Sequence, residues 1–398
     1  MGARLDPRIR PRRDGARHAF RGGMKIPFQR LAADSDPGVR QAVERVLASG
    51  RFVLGPEVEA FERAFAASIG VAHAVGVASG TDAITLALVA AGIGPGDRVL
   101  TAAFSTGYTA IGIRHAGATP VFADVEPESL CLDAGAVART LGKQEVQAIV
   151  PVHIFGGAGA GWEKLLELAD RHRVPVLEDA CQAHGARSSG RALGSFGRAA
   201  AFSFYPTKNL GALGDAGLVA TADEGLAARV RSLRSGAQGK RHHHLAPGWN
   251  SRLDEIQAAV LRERLPALPE GNRRRAALAL RYRELLDGLP LRFVTPGSGV
   301  EGSSHLFVIR TARRDALRAH LERAGIDALV HYPAALTEQP AFSDAPVAGG
   351  SCPEAEAAAR EVLSLPLHPG LSEREVERVA ATVRAFFGGQ RAGGAVSE

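Results

Sequence analysis

The sequence predicts an α/β protein with a large domain, whose mostly parallel sheet is covered by helices on both faces, and a smaller α/β domain. Two observations predict this. From about residue 36, short runs rich in β-branched residues alternate with helical stretches, as is typical of parallel sheets. Near residue 275 the spacing of these elements changes. The chain has 398 residues, 45% of them hydrophobic, which is enough for two or three domains.

The ordered pattern opens with two helices. Asp36 is expected to cap the first helix, with Pro37 at its first position and Gly50 just after its end. The second, "EVEAFERAFAASIG", ends at Gly70. A third and strongly apolar helix is predicted at "SGTDAITLALVAAGI".

The large domain, residues 24–274, is predicted to contain six strands. These are "HAVGVAS", "DRVLTAAF", "TPVFADV", "VQAIVPVHIFG", "VPVLEDA" and "AAAFSFYP". The small domain, residues 275–388, is predicted to contain the strands "LRFVTP", "SHLFVIR" and "ALVHYP" and the helices "RRDALRAHLERAGI" and "SEREVERVAATVRAFF". Ligands of parallel sheets bind at the carboxyl ends of the strands, where Asp179 and Lys208 fall.

The two ends of the chain are expected to lie outside the fold. Residues 1–23 carry seven arginines and two aspartates, which is +5 of the net charge of +6. This extension can be a targeting peptide, although it lacks the serines and apolar stretch of one, a disordered arm, or upstream sequence included before a true start at Met24. Residues 389–398 are predicted to be a disordered tail. The near-neutral remainder shows no basic stripe, so nucleic acid is not an expected partner.

The composition favours a cytoplasmic protein that does not contact a membrane. No apolar run approaches the length of a transmembrane helix. Three widely spaced cysteines form neither a disulfide framework nor a metal-binding pair. Three adjacent histidines, residues 242–244, diverge in direction and have no second cluster near them in sequence, so no metal site is predicted.

One stretch partly matches a dinucleotide-binding turn. Gly157 and Gly159 supply the first two glycines of a G-x-G-x-x-G pattern after a predicted strand. Trp162 occupies the third position, where its indole would obstruct helix–strand packing. A nicotinamide-dependent oxidoreductase is therefore disfavoured.

Four other segments place chemically useful residues at strand ends. "ASGTDA" starts a helix at Gly80 and Thr81, which suits a phosphate, although such residues also cap ordinary helices. "LEDACQAHGA", "FSFYPTKN" and "GWNSRLDEIQAAV" add an acid at Asp179, an amine at Lys208 and an amide at Asn250. A nucleophilic amine, an acid for a ring nitrogen and a phosphate cradle are together what pyridoxal 5'-phosphate requires.

These segments, with "GPEVEAFE" and "GATPVFADV", resemble the DegT/DnrJ/EryC1/StrS family of sugar aminotransferases. The resemblance runs from Met24 to about residue 379 and implies PLP fold type I, similar to aspartate aminotransferase. It implies transfer of an amino group from L-glutamate or L-glutamine to a nucleotide-linked keto-deoxysugar in amino sugar biosynthesis. The alternatives are a keto-cyclitol acceptor or a non-catalytic regulatory homologue. Dehydratases of the family replace the lysine with histidine, so the presence of Lys208 argues against that activity.

The resemblance also implies residue roles. Lys208 would be the Schiff-base lysine and Asp179 the partner of the pyridine nitrogen. The other cofactor-binding residues would be Gly80, Thr81, Gln182, Ser203 and Asn250. Asn250 would reach the phosphate of a neighbouring subunit, which implies a homodimer with shared active sites.

Two departures from the family pattern concern the substrate pocket. Thr106 stands where the family has an aromatic residue stacked on the cofactor, and Phe104 or Tyr108 are the available substitutes. Thr337 stands where a histidine is usual. The candidate substrate residues are Tyr108, His184, His244, His305, His331 and Tyr332.

Overall fold

The structure is a computed structural model that describes residues 25–30, 36–143, 145–240 and 242–388. The predicted extension, residues 1–23, and the predicted tail, residues 389–398, lie outside the described residues. None of the helices within those ranges is long and apolar enough to cross a membrane.

The first two helices form as predicted. Helix α1 (Pro37–Ser49) begins after Asp36, whose carboxylate accepts hydrogen bonds from two N–H groups of the first turn, and ends at Gly50 with φ of 64°. Helix α2 (Pro56–Ile69) has its N-terminal N–H groups bound by the buried carboxylate of Glu255.

The remaining elements of the first 264 residues alternate as expected. The strands are β1 (His73–Val77), β2 (Arg98–Ala102), β3 (Thr119–Ala123), β4 (Ala148–Val150), β5 (Leu177–Asp179), β6 (Arg187–Ser188), β7 (Arg191–Ala192), β8 (Ala199–Ser203), β9 (Gly217–Thr221), β10 (Gln238–Lys240) and β11 (His243–His244). The helices are α3 (Gly80–Ala90), α4 (Gly107–His115), α5 (Ala134–Leu141), α6 (Trp162–Arg171), α7 (Glu224–Leu233) and α8 (Glu255–Arg264).

Seven of these strands build the central sheet. Their order is β3-β2-β4 and β5-β8-β9-β1, and the parallel bridges Ile149–Val176 and Val152–Asp179 join the two parts. β9 is antiparallel to both neighbours, whereas the other pairings are parallel, which confirms the mostly parallel sheet. Adjacent residues of β2, Val99 and Leu100, pack into different core clusters, so helices cover both faces of the sheet.

A long helix, α9 (Leu268–Leu286), leads into the C-terminal part. The elements that follow are β12 (Arg292–Phe293), β13 (Val300–Glu301), β14 (Phe307–Arg310), α10 (Arg314–Arg323), α11 (Pro353–Glu361), β15 (Val362–Leu365) and α12 (Glu373–Gly388). β12, β14 and β15 form an antiparallel sheet in that order. Its core is built from apolar residues between Leu278 and Val383 together with Ile26 from the N-terminal segment.

One predicted strand is wrong. "ALVHYP" is not a strand, because only Leu329 pairs with Ser364 of β15, through an isolated bridge. Pro333 has no N–H to extend the pairing. The side chains of His331 and Tyr332 are instead available to the site described next.

Candidate active site

Lys208 lies in a turn that follows the end of β8. The backbone N–H of Lys208 donates to the carbonyl of Tyr205 at 2.8 Å, and the Gln29 side chain holds the Thr207 carbonyl at 2.8 Å. The Lys208 side chain is half-buried, and no described carboxylate forms an ion pair with it. Burial lowers the pKa of Lys208, although Cys181 and Asp179 act in the opposite direction. The turn therefore presents an amine that loses its proton more easily than an exposed lysine does.

Asp179 ends β5, beside β8, and is 3% exposed. Thr109 Oγ1 donates to Asp179 Oδ2 at 2.7 Å, and the N–H of Cys181 donates to Oδ1 at 3.1 Å. A carboxylate has more acceptor positions than these two donors use. Asp179 can therefore accept a further hydrogen bond from a protonated ring nitrogen.

The start of α3 lies against the same strand end. A Cβ atom at Gly80 would lie 2.7 Å from Ser203 Cβ and 2.9 Å from Cys181 Sγ, and one at Gly217 would lie 2.2 Å from the carbonyl oxygen of Ser79. Only glycines permit this approach. It brings Gly80 and Ser203 together at a helix N-terminus, whose first N–H groups suit a phosphate.

Gln182 is buried beside this group, and both ends of its amide are held. Its Oε1 accepts from the N–H of Phe155 at 2.7 Å, and its Nε2 donates to the Tyr332 hydroxyl at 3.1 Å. Burial raises the pKa of Tyr332 to about 12, so its hydroxyl stays protonated. Gln182 and Tyr332 are thus brought together, as expected of two pocket residues.

His331 and His305 approach the same pocket from the C-terminal part. His331 Nδ1 lies 2.9 Å from Ser364 Oγ, and burial together with the charge of Lys208 lowers the pKa of His331 to about 4. Burial, with the charges of Lys208 and Arg275, lowers the pKa of His305 well below its usual value. Both imidazoles are therefore neutral at physiological pH.

His184 takes a different place from the other histidines. It is 1% exposed, and its ring centroid lies 5.6 Å from that of Phe202 and 5.5 Å from that of Phe204. Burial, reinforced by Lys208, lowers the pKa of His184 to about 3, although the backbone of Ser203 acts in the opposite direction. The structure thus places His184 in the core, where it packs as a neutral ring.

Three predicted residues, Tyr108, His244 and Asn250, are exposed to solvent. Tyr108 is 62% exposed on α4, and His244 and Asn250 border an open hollow of about 780 Å³. The residue after Asn250 contacts α3, because Ser251 Oγ donates to Asp82 Oδ2 at 2.6 Å. Asn250 is therefore close to the first turn of α3 in its own chain, and its side chain is exposed.

Neither Phe104 nor Tyr108 takes the place of the aromatic residue that is missing at Thr106. Phe104 is fully buried, and its ring packs against Phe155 and Tyr332. Tyr108 points into solvent. Within the described ranges, no group of three or more histidine, cysteine, aspartate or glutamate side chains is arranged to hold a metal ion.

These residues fit pyridoxal 5'-phosphate, because a free amine, a buried carboxylate with spare acceptor capacity and a helix N-terminus meet at one sheet edge. The model of the DegT/DnrJ/EryC1/StrS aminotransferase family matches residues 34–384. The chain belongs to this family. DegT/DnrJ/EryC1/StrS aminotransferases use pyridoxal phosphate on fold type I, so the expected fold and cofactor are confirmed.

Relatives cover nearly the whole chain. It is 45% identical to a dTDP-3-amino-3,4,6-trideoxy-alpha-D-glucose transaminase from Streptomyces venezuelae, over 91% of this chain and 94% of that protein. It is 40% identical to a pleiotropic regulatory protein from Geobacillus stearothermophilus, over 92% and 99%. The crystal structure of S. venezuelae DesV in complex with a ketimine intermediate matches with a TM-score of 0.87 and 45% identity, over 91% of this chain and 98% of that chain.

Several residues at the site were not predicted from the sequence. Thr109, which binds Asp179, lies in the quoted "FSTGYT" stretch, but only its position on a buried helix face shows its role. Asn209 directly follows Lys208 and binds Asn272 and Ser303, which come from later parts of the chain. In the sequence, only its position next to Lys208 indicated that Asn209 could belong to the site.

Proposed function

We propose that this protein transfers an amino group from L-glutamate or L-glutamine to a nucleotide-linked keto-deoxysugar. The observation that carries the proposal is the Lys208 amine, with its lowered pKa, at the sheet edge that also holds Asp179 and the start of α3. The named activity of the S. venezuelae relative supports a nucleotide sugar as the acceptor.

Each residue of the site has its own role in binding the cofactor. Bound pyridoxal phosphate supplies an electron sink through its protonated ring. Asp179 would hold the proton on the ring nitrogen, and Gln182 would help to orient the ring. Gly80, Thr81 and Ser203 bind the phosphate.

Lys208 acts as the proton carrier at the α-carbon of the amino donor. Its lowered pKa favours this role, because a larger fraction of the amine is unprotonated at neutral pH. The amino donor and the sugar would use the same site one after the other, so ping-pong kinetics are expected.

A homodimer with shared sites is part of the proposal. The apolar side chains of Phe52, Val53 and Leu213 are each more than 40% exposed beside the start of α8, and we name these three the α8 patch. Exposed apolar surface of this kind favours an interface. Asn250, which precedes α8 and is exposed, would then serve the phosphate of the partner subunit.

Two further assignments are proposals. A cytoplasmic location is supported by the free thiols of Cys131, Cys181 and Cys352. A division between a large domain, residues 24–274, and a small domain, residues 275–388, would place the Lys208 pocket between the two.

The test is the visible absorption spectrum of the protein, begun at Met24 and loaded with pyridoxal phosphate. A visible band that bleaches with L-glutamate, and that is absent in Lys208→Ala, would support the donor half of the reaction. A protein that takes up no cofactor would instead favour a regulatory role, the activity named for the Geobacillus relative.

A further inference from the structure

A chain of side-chain amides runs from α9 to His305. Asn272 Nδ2 donates to the carbonyl of His184 at 2.8 Å, and Asn272 Oδ1 accepts from Asn209 Nδ2 at 2.8 Å. Asn209 Nδ2 also donates to the carbonyl of Ser303 at 2.8 Å. The chain ends where Asn209 Oδ1 meets His305 Nδ1 at 3.1 Å.

The direction of every bond in this chain is set by its two backbone carbonyls. A carbonyl oxygen can only accept, so the NH₂ group of Asn272 must face His184 and its oxygen must face Asn209. The NH₂ group of Asn209 therefore faces both Asn272 and the carbonyl of Ser303. The amide oxygen of Asn209 therefore faces His305. Because this oxygen can only accept, Nδ1 of His305 must carry the proton.

The second nitrogen of His305, Nε2, is then an unprotonated acceptor. The ring stays neutral because burial, followed by the charges of Lys208 and Arg275, keeps the pKa of His305 low. The described residues form no hydrogen bond with Nε2, and His305 retains 7% of its exposure. His184 differs from His305, because both of its ring nitrogens are buried away from solvent.

Alternate residues of the segment 303–306 face two different parts of the molecule. Ser303 and His305 bond toward Gln182 and Asn209, which flank the Lys208 pocket. Ser304 and Leu306 instead line a separate cavity of about 900 Å³. His305 therefore belongs to the Lys208 side.

We propose that His305 Nε2 accepts a hydrogen bond from a hydroxyl group of the sugar substrate, with Asn209 and Asn272 as the positioning residues that fix the tautomer. This rests on the proposed function. An acceptor selects a group that has a proton to give, which a sugar hydroxyl has and the carboxylates of L-glutamate lack. A sugar ring offers several hydroxyls, and the acceptor would favour substrates that keep one at the matching position.

The tautomer is tested without cofactor or activity. Protein labelled with ¹⁵N at histidine is measured by NMR at pH 7.5, and the signal lost in His305→Asn identifies His305. A protonated Nδ1 and a bare Nε2 are expected. A protonated Nε2, or a doubly protonated ring, would overturn the proposal.

The hydroxyl contact is tested with dTDP-glucose by titration calorimetry. His305→Asn keeps a donor toward Asn209 but has nothing at the Nε2 position, whereas His305→Gln places an amide oxygen near it. His305→Asn should bind about 3- to 10-fold more weakly than wild type, and His305→Gln should bind nearly as well. Equal binding by His305→Asn, or no binding by wild type, would overturn the sugar contact.

The two proposals fail in different ways. If wild type bleaches with neither L-glutamate nor L-glutamine, the proposed function fails, while the histidine spectrum still reports the tautomer. If wild type bleaches with an amino donor and His305→Asn binds dTDP-glucose more weakly than wild type does, both proposals stand.

Discussion

The hydroxyl of Thr109 donates a hydrogen bond to Oδ2 of Asp179 at 2.7 Å, and both side chains are buried. Thr109 lies on α4 and Asp179 ends β5, so the bond ties the direction of the carboxylate to helix α4. A carboxylate aimed in this way needs no rearrangement when a ring nitrogen arrives. Thr109 is therefore expected to contribute to cofactor binding.

We expect Thr109→Val to weaken the binding of pyridoxal phosphate by about 10-fold, because a hydrogen bond to a charged, buried acceptor is lost at nearly constant volume. Thr109→Ser keeps the hydroxyl and should bind nearly as wild type does. The measurement is an absorbance titration of the cofactor-free protein. Equal affinities for the valine and serine variants would contradict the role.

A second prediction concerns Gly217. Its substitution by alanine would place a Cβ 2.2 Å from the carbonyl oxygen of Ser79, so the start of α3 must move. We expect a loss of about 1–3 kcal/mol of folding free energy and weaker binding of the cofactor phosphate.

The matched control for Gly217→Ala is Gly94→Ala, where the nearest atom to the new Cβ lies 3.8 Å away. Urea unfolding measures the stability of both variants. The proposed phosphate site at the start of α3 is incorrect if Gly217→Ala is as stable as Gly94→Ala and binds pyridoxal phosphate equally well.

Local chemistry made the helices and the reactive pair predictable. Asp36, Pro37 and Gly50 mark the ends of α1 because capping depends on residues close in sequence. Asp179 and Lys208 could be placed together because the carboxyl ends of parallel strands meet at one edge.

Contacts between distant residues could not be predicted in the same way. Gln29 holds the Thr207 carbonyl from 178 positions away, and Asn209 reaches Ser303 across 94. Such bonds depend on how the C-terminal part packs against the sheet, which no local pattern encodes. The burial of His184 is of the same kind, since it depends on rings that reach it only in the folded sheet.

The α8 patch leads to a prediction about assembly. We expect the double variant Phe52→Asp/Leu213→Asp to be monomeric, because charges within a buried apolar interface are strongly disfavoured. Leu280→Asp is the control, since Leu280 is 59% exposed but lies on α9. Light scattering after gel filtration gives the masses. A monomeric wild type, or a dimeric double variant, would refute the shared site.

The last prediction concerns His368, which is 1% exposed and whose two ring nitrogens have no partner among the described residues. Burial, reinforced by Arg30 and Arg275, lowers its pKa to about 4. An unfolded histidine takes up a proton below about pH 6.5, whereas the folded one does so only near pH 4. His368 should therefore lower stability as the pH falls from 6.5 to 4, by about 1.4 kcal/mol per pH unit, with no further loss below that range.

His368→Leu should remove this contribution, so the free energy of unfolding should decline less steeply between pH 6.5 and 4 than in wild type. His184 and His331 have pKa values lowered in the same direction, so the difference between the two proteins is the quantity to measure. His172→Leu, at an exposed position, is the control and should follow the wild-type curve. Parallel curves for wild type and His368→Leu would show that His368 is protonated in the folded protein, contrary to its burial without a partner.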